Sequence, residues 1–464
     1  MSNLETRTKQ PGRHINKLVI LGFLFLTLLI VLGVVFIPWD AATPKATDLE
    51  ITTPSVPARE NAFTYFEAAG KMQAGKFSAA DGSQRIWLDL LYEKKPDGTL
   101  GWDPVFADEV IKANAATFAE LEKGLACQHY QAPPFDHQNG IHWLQSQKCL
   151  AQLLSLKSKR AHLAGDYAET GKAGLQGLQL GQQATNESNI LIGWLVGVAL
   201  QQIALVRLEI LVADPKTPEP VLREILATLT QQTPSMFANG FKNAILGDYR
   251  WTKKTMLQDI QKDWFKKYHP IASRFIWIPY AYKSNMTLSL FADDDRLVIA
   301  NADRPYAKVK LDFPSQPQLP ADTFGKVIFY AKPNGIGRFL FIDGASGLPK
   351  SLGKKCQIQA CFAALRLKIA LRLYELKHGE LPDTLNALVP EYLTEIPKDP
   401  YDDQPFRYSK TEKKVWAVGC DLIDHGGKTM NDAIMMDRPG GYDLVVSLSP
   451  RDPNPPPPAE NKKP

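Results

Sequence analysis

Cysteine is scarce in this chain: five residues in 464, too few for the disulfide scaffold of a small secreted domain. Excess charge is scarce too. Lys and Arg number 54 against 49 Asp and Glu, a net of +5. That balance argues against a dedicated nucleic-acid binder, which concentrates basic residues into a dense patch, so nucleic acid is not an expected partner. A P-loop, a dinucleotide fingerprint, a nucleophile elbow and an H-E-x-x-H pair are all missing. Without them no catalytic residue and no organic cofactor is assigned, and scattered Ser, His and Asp residues do not make a triad. What is present is a globular composition, 44% apolar and 22% charged, long enough for more than one domain.

Charge is absent altogether from Leu18 to Ile37, a run of 20 residues. A helix of that length rises ~30 Å and matches a bilayer core. Arg7, Lys9, Arg13 and Lys17 precede it, while Asp40, Asp48 and Glu50 follow it. The positive-inside bias predicts a cytoplasmic tail over 1–17, a signal anchor over 18–37, and the bulk of the chain on the extracytoplasmic (periplasmic) side of the cell (inner) membrane. A cleaved signal peptide would have a shorter apolar region and an A-x-A-like site, which this segment does not match. Type IV prepilins and pseudopilins also open on an apolar helix, but carry a Glu near its start. None lies in this run, so the reading is an anchor and not a pilin stem. A second uncharged run, Ile190 to Val206, contains Gly193 and Gly197 in G-x-x-x-G spacing. Either it spans a membrane or it is a buried core helix. Gln201 and Gln202 and its short length favour the core.

Prolines 38, 44, 54 and 57 predict an extended linker over 38–59, and RDPNPPPPAENKKP at 451–464 predicts a disordered tail. Between them, 60–345 reads as an α-helical domain. Asn61 is placed to cap one helix, with Phe63, Phe66 and Ala69 at helical spacing. Asp103-Pro104 starts another, with Val105, Phe106, Val110 and Ile111 inward. Leu150, Leu153, Leu154, Leu156 and Leu163 mark a third. Residues 161–183 resemble the turn between the helices of a tetratricopeptide repeat, with Gly165-Asp166-Tyr167 at the corner. No second copy follows at a period of about 34 residues, so the likeness predicts a helical hairpin only. Helices continue through 219–300, and 302–345, rich in Pro and Gly, reads as a loop-rich connection.

Three clusters invite chemistry. Cys127, His129, His137, His142 and Cys149 are zinc-ligand types without a zinc-finger spacing. Three readings stand: a Cys127–Cys149 disulfide, free thiols, or a metal. Cys356 and Cys361 diverge on one helix and do not suit a mutual bridge. Asp293, Asp294 and Asp295 fit a solvated helix end or a metal cradle. Trp87, Trp102, Trp143 and Trp194 could line a carbohydrate groove or pack a core.

Toward the C-terminus, Ile358, Phe362, Leu365, Ile369, Leu373 and Leu376 form one stripe of a helix over about 357–378, ended by Gly379. Asp383 is placed to cap a short helix that turns Leu385, Leu388 and Val389 inward. Phe406 and Tyr408, Val415–Val418, and Tyr442–Leu448 read as antiparallel strands. Tyr374, Gly379, Pro382, Ala387-Leu388-Val389, Pro397, Asp399-Pro400, Pro405 and Tyr408 fall on the pattern of the major pseudopilin of type II secretion. Residues ~361–448, under a fifth of the chain, thus resemble that family's globular domain, with one extra residue between the two turn prolines. The whole chain is also similar to a group of membrane-anchored envelope proteins of planctomycete-type and verrucomicrobial bacteria. That likeness implies location and architecture, not an activity. In the pseudopilin family an acidic loop binds calcium. Here Asp421 and Asp424, beside Gly426 and Gly427, are the corresponding candidates. A turn whose aspartates bond backbone N–H groups is the other reading.

The expected fold is therefore mainly α: a transmembrane helix, a helical-hairpin body, and a pseudopilin-like α+β module over 346–450. The expected role is structural or protein-interacting, with envelope or secretion-assembly proteins as partners. An envelope polymer-binding protein or hydrolase with its site in the helical body is the alternative.

Overall fold

The computed structural model describes residues 13–36, 39–50, 55–74, 77–78, 84–85, 88–92, 102–133, 141–259, 266–267, 270, 272–310, 317–345, 348–428 and 443–449. Residues 1–12, Ile37, Pro38, Pro54, Trp87, His137, Tyr442 and the tail 451–464 lie outside them.

The fold is mainly helical. In chain order the helices are α1 (Arg13–Phe36), α2 (Ala62–Met72), α3 (Asp89–Tyr92), α4 (Pro104–Ala113), α5 (Ala115–Leu125), α6 (His142–Leu163), α7 (Tyr167–Asn186), α8 (Leu191–Ala213), α9 (Glu219–Thr230), α10 (Pro234–Lys254), α11 (Ser284–Asn301), α12 (Thr323–Ala331), α13 (Gly335–Ala345) and α14 (Leu348–His378). A two-stranded ribbon pairs β1 (Phe77–Ser78) with β2 (Gln84–Arg85). A three-stranded antiparallel sheet has the order β3 (Arg407–Ser409), β4 (Lys414–Ala417), β5 (Leu444–Ser447).

The chain folds into two compact units. One comprises Met1–Ala46, Thr252–Asp294 and Phe313–Ser346; the other comprises Thr47–Trp251, Asp295–Asp312 and Gly347–Pro464. This differs from the linear division expected of the sequence. The helical body and the C-terminal sheet belong to the same unit because α14 serves both: it packs on α8 and α9 and also on β4 and β5. A buried ion pair, Lys368 Nζ to Glu209 Oε1 at 3.5 Å, ties α14 to α8.

Within the larger unit, α6 and α7 form the expected hairpin. Gly165 takes φ +79° at the corner, a conformation that suits glycine, and Asp166 accepts from Glu169 N to cap α7. Helix α8 is long and apolar enough to cross a membrane by length and composition, and 67% of its apolar window is buried. It packs on α6, α7 and α14. Its glycines serve that packing: a Cβ on Gly197 would stand 2.7 Å from Thr185 Cγ2 of α7. One core joins Phe63, Phe66, Leu121, Tyr130, Leu150, Leu154, Leu180 and Leu200; a second joins Leu90, Phe106, Val110, Leu153 and Leu156. Each such buried apolar side chain contributes about 2 kcal/mol.

In the smaller unit, α1 presents its apolar side chains outward, with Val19 through Leu32 between 43% and 72% exposed where large. Among the described residues its apolar stretch is Val19–Gly33.

Several local expectations need correction. Residues 302–345 are not chiefly loop, since α12 and α13 lie there; short helices flanked by Pro and Gly escape periodicity arguments. Helix α14 begins about nine residues earlier than its stripe, because Lys355 is buried and donates to the carbonyls of Ala302 (2.9 Å) and Arg304 (3.2 Å). The expected linker is partly packed: Ala46 and Leu49 are buried, and Asp48 pairs with Arg296 at 2.8 Å. Val105, Leu163 and Leu376 face solvent. Thr384, not Asp383, precedes the short 3-10 helix Leu385–Leu388; Asp383 pairs instead with Lys410 at 2.8 Å. Asp293–Asp295 sit inside α11, not at its end, and Asp294 and Asp295 are buried.

Candidate functional site

The helical body holds a cleft of about 400 Å³ lined by residues 55–57, 60, 129–131, 187–189, 243, 246 and 250. Its frame starts at the N-terminus of α2. Asn61 Oδ1 accepts from Phe63 N (3.1 Å), the expected cap, and from Gln131 N (2.8 Å). Asn61 Nδ2 donates to Gln131 O at 2.8 Å, and Ala62 N donates to His129 O at 2.8 Å. One asparagine thereby fixes both a helix start and the extended strip 129–131. Tyr130 anchors that strip. It is 2% exposed, stands edge-on to Phe63, and receives a hydrogen bond from Gln147 Nε2 at 2.9 Å.

The floor comes from the chain between α7 and α8. Glu187 Oε2 accepts from Tyr130 N at 2.9 Å, and Asn189 Nδ2 donates to Ala132 O at 2.9 Å. Helix α10 closes the remaining side with Asn243, Leu246 and Arg250. Asp248 on that helix accepts from Leu191 N at 3.0 Å and so caps α8; burial pushes its carboxyl up to about 7, against the pull of that N–H. Burial also lowers the Arg250 guanidinium from its usual value.

The polar groups facing the cleft are half-exposed. His129 Nδ1 lies 3.5 Å from Glu187 Oε1, with side-chain exposures of 54% and 40%. That separation is too long for a hydrogen bond. Glu60 pairs with its neighbour Arg59 at 3.2 Å and is 51% exposed. Ser188, the hydroxyl beside Glu187, is turned away and donates to Ile190 O at 2.8 Å. The arrangement offers two carboxylates, an imidazole and a guanidinium to a bound group. It does not aim Ser188 at the imidazole as a nucleophile.

The other candidate is the acidic loop after β4. Asp399 is fully buried, and three donors converge on it: Tyr401 N (2.9 Å), Val418 N (2.8 Å) and Arg407 Nη1 (2.6 Å). Burial nonetheless pushes its carboxyl up to about 6. Arg407 also pairs with Asp402 and reaches Asp424 Oδ2 at 3.5 Å. Asp424 Oδ1 accepts from Trp416 Nε1 and Gly426 N, both at 2.9 Å, and the Trp416 bond, foremost, lowers its pKa. Asp421 accepts from Ile423 N at 3.2 Å and faces His425 Nε2 at 3.0 Å. Lys414 Nζ donates to the carbonyls of Gly426 (2.9 Å) and Gly427 (3.1 Å).

This set does not fit calcium, which takes six to eight oxygens. Asp421 and Asp424 share the loop, but each is satisfied by a backbone N–H two residues on, the turn anticipated as the other reading. The glycine carbonyls already hold an ammonium, and a guanidinium spans three carboxylates. Among the described residues no group of three or more His, Cys, Asp or Glu side chains is arranged to hold a metal.

The cysteine–histidine cluster also disperses. Cys127 and Cys149 are free thiols, not a disulfide. Cys127 Sγ donates to Lys123 O at 3.4 Å, and Cys149 Sγ accepts from Gln145 Nε2 at 3.7 Å. Cys127 Sγ also reaches Arg59 O at 4.0 Å. Of the cluster's described members, only His129 lines the cleft; His137 lies outside the described residues. Trp194 is buried edge-on to Phe241, Trp143 packs edge-on to Phe63, and Trp102 packs on the second core; none of these three lines the cleft. Glu60, Glu187 and Arg250 carried no motif in the sequence. They line one cleft although they are far apart in the chain.

No family model, no curated protein and no solved structure matches this chain.

Proposed function

We propose that this chain is a single-span, membrane-anchored protein whose body lies on the extracytoplasmic side and acts by binding. Its partner is a protein segment of an envelope or secretion-type assembly that brings a basic side chain to Glu60 and Glu187. The observation that carries this reading is the cleft itself: about 400 Å³, within the range of binding pockets, with half-exposed Glu60, His129 and Glu187 at its mouth. The anchor is supported by the apolar side chains that α1 turns outward. The pseudopilin-like module acts as a buttress for the body and not as a fibre subunit, since α14 is spent on packing against α8 and α9 on one side and the sheet on the other.

The test is recovery of crosslinked complexes from intact cells of the native host, using the full chain. Wild type is expected to yield a defined complex of envelope or secretion-assembly proteins, and the Glu60→Gln, Glu187→Gln double variant to lose it. A complex indifferent to that double variant would contradict the reading.

A second reading, an envelope polymer-binding protein or hydrolase, is favoured by one feature: two carboxylates, Glu60 and Glu187, line one cleft, as paired-carboxylate glycosidases require. Retention of the wild-type chain on envelope polysaccharide, or release of reducing ends from it, either one lost in the double variant, would support that alternative.

A further inference from the structure

The smaller unit carries a second apolar surface besides α1. Helix α12, TFGKVIFYA, buries only Phe329. Phe324 is 74% exposed, Val327 60% and Ile328 44%. With Ala331, also exposed, these occupy positions i, i+3, i+4 and i+7, one continuous stripe of a helix. Asp322, the nearest carboxylate in the chain, is turned into the helix start, where it accepts from Gly325 N at 2.7 Å. Lys326 and Lys332 flank the stripe and are exposed.

A hydrogen-bonded path runs from this helix to the exit of α1. Tyr280 Oη donates to Ala331 O, the last residue of α12, at 3.2 Å. Three residues before Tyr280 stands Trp277, 63% exposed, beside Phe275, 43% exposed. After α12, Asn334 donates through its backbone to Tyr280 O (2.9 Å) and accepts at Oδ1 from Lys283 N (2.9 Å). Lys283, 2% exposed, lies over the ring of Trp39 with its ammonium 3.5 Å from the centroid, and it donates to Trp39 O. Asp40 then caps α11, accepting from Asn285 N (2.8 Å) and Met286 N (3.2 Å). The residues that follow the apolar helix are thus fastened to the elements that carry the apolar stripe.

We infer that the stripe of α12, with Phe275 and Trp277, docks on the phospholipid surface around the base of α1, as a membrane-lying collar. The inference rests on the anchored reading above. Bilayer is the occupant because the surface belongs to the same compact unit as α1, is linked to its exit through Trp39, Lys283 and Asn334, and combines an apolar stripe, exposed aromatics and flanking lysines, the composition of interfacial helices.

The test uses the full chain reconstituted in vesicles of phosphatidylethanolamine and phosphatidylglycerol. Benzoylphenylalanine replaces Phe324 in one sample and Val105, an equally exposed position of the larger unit, in another. Flotation reads the anchor, and the mass of the photoadduct reads the collar. The expected result is that both samples float and that phospholipid adducts at 324 exceed those at 105 by about tenfold. A chain that floats without lipid adducts at 324, or whose adducts there are to a second copy of the chain, overturns the collar and leaves the anchor. A chain that does not float overturns both.

Discussion

The acidic loop and the body cleft hold the same kinds of side chain and treat them in opposite ways. Around the loop, Asp399 of the turn before β3 is fully buried, and Arg407 and Lys414 neutralise the carboxylates and carbonyls around them. In the cleft Glu60, His129 and Glu187 keep 40% to 54% of their side-chain surface in solvent, and the histidine and Glu187 stay beyond hydrogen-bond distance. The loop has spent its electrostatics on holding the chain together; the cleft has left its own available to a ligand. An inventory of acidic residues would have ranked the two sites the other way.

Four measurements probe the difference between loop and cleft. The largest effect is expected at the other buried ion pair. Glu209→Ala removes the buried ion pair between α14 and α8 and should cost about 3–5 kcal/mol in chemical denaturation. The double exchange Glu209→Leu, Lys368→Met should be near neutral. A cheap Glu209→Ala would mean that this charge is not held in a dry joint.

Asp399→Asn comes next, at about 3 kcal/mol, because an amide has one acceptor oxygen and cannot accept both from Tyr401 N at one oxygen and from Val418 N and Arg407 at the other. It should also change the pH dependence. The Asp399 carboxyl titrates at about 6 in the fold against about 4 in the unfolded chain. The fold therefore binds the extra proton between those values. This group's contribution is complete below the unfolded value and is lost as pH rises through about 6. Asp424, with its lowered pKa, contributes in the opposite sense, above its unfolded value, and loses that contribution as pH falls. Asp399→Asn should abolish the first slope and keep the second. An unchanged profile would remove Asp399 from the account.

Calcium should do little. Wild-type melting temperature is expected to be the same in millimolar calcium and in chelator, because Lys414 and Arg407 stand where the ion would. A rise of several degrees with calcium would show that these cations yield to it.

The smallest effect is the cleft's on stability. Glu60→Gln and Glu187→Gln should each shift unfolding by no more than about 0.5 kcal/mol, as exposed positions do, while binding is lost. A large destabilisation would place Glu187, through its bond to Tyr130 N, among the structural groups instead.

The sequence was most legible where one local pattern decides the outcome. Asn61 and Asp103 cap the helices expected of them, Gly165 and Gly379 take positive φ at helix ends, and Val415–Val418 largely coincides with β4. Legibility failed where a tertiary partner overrides the pattern. Lys355 lies ahead of the apolar stripe of α14 and is buried because the carbonyls of Ala302 and Arg304 accept its ammonium. Asp294 and Asp295 looked like a solvated run and lie inside α11. The cleft escaped for a stronger reason: Glu60, Glu187 and Arg250 are distant in sequence, and no spacing rule links them. His129 stands out in the sequence by its type, but its proximity to Cys127 along the chain says nothing about Glu187 across the fold.

The most direct measurement places the same photocrosslinking residue at Asn243, in the cleft, and at Glu412, beside the acidic loop, in the full chain in intact native cells. A defined protein adduct that Glu187→Lys abolishes is expected from position 243, and none from position 412. A defined adduct from 412 with none from 243 would contradict it and make the loop, not the cleft, the working surface.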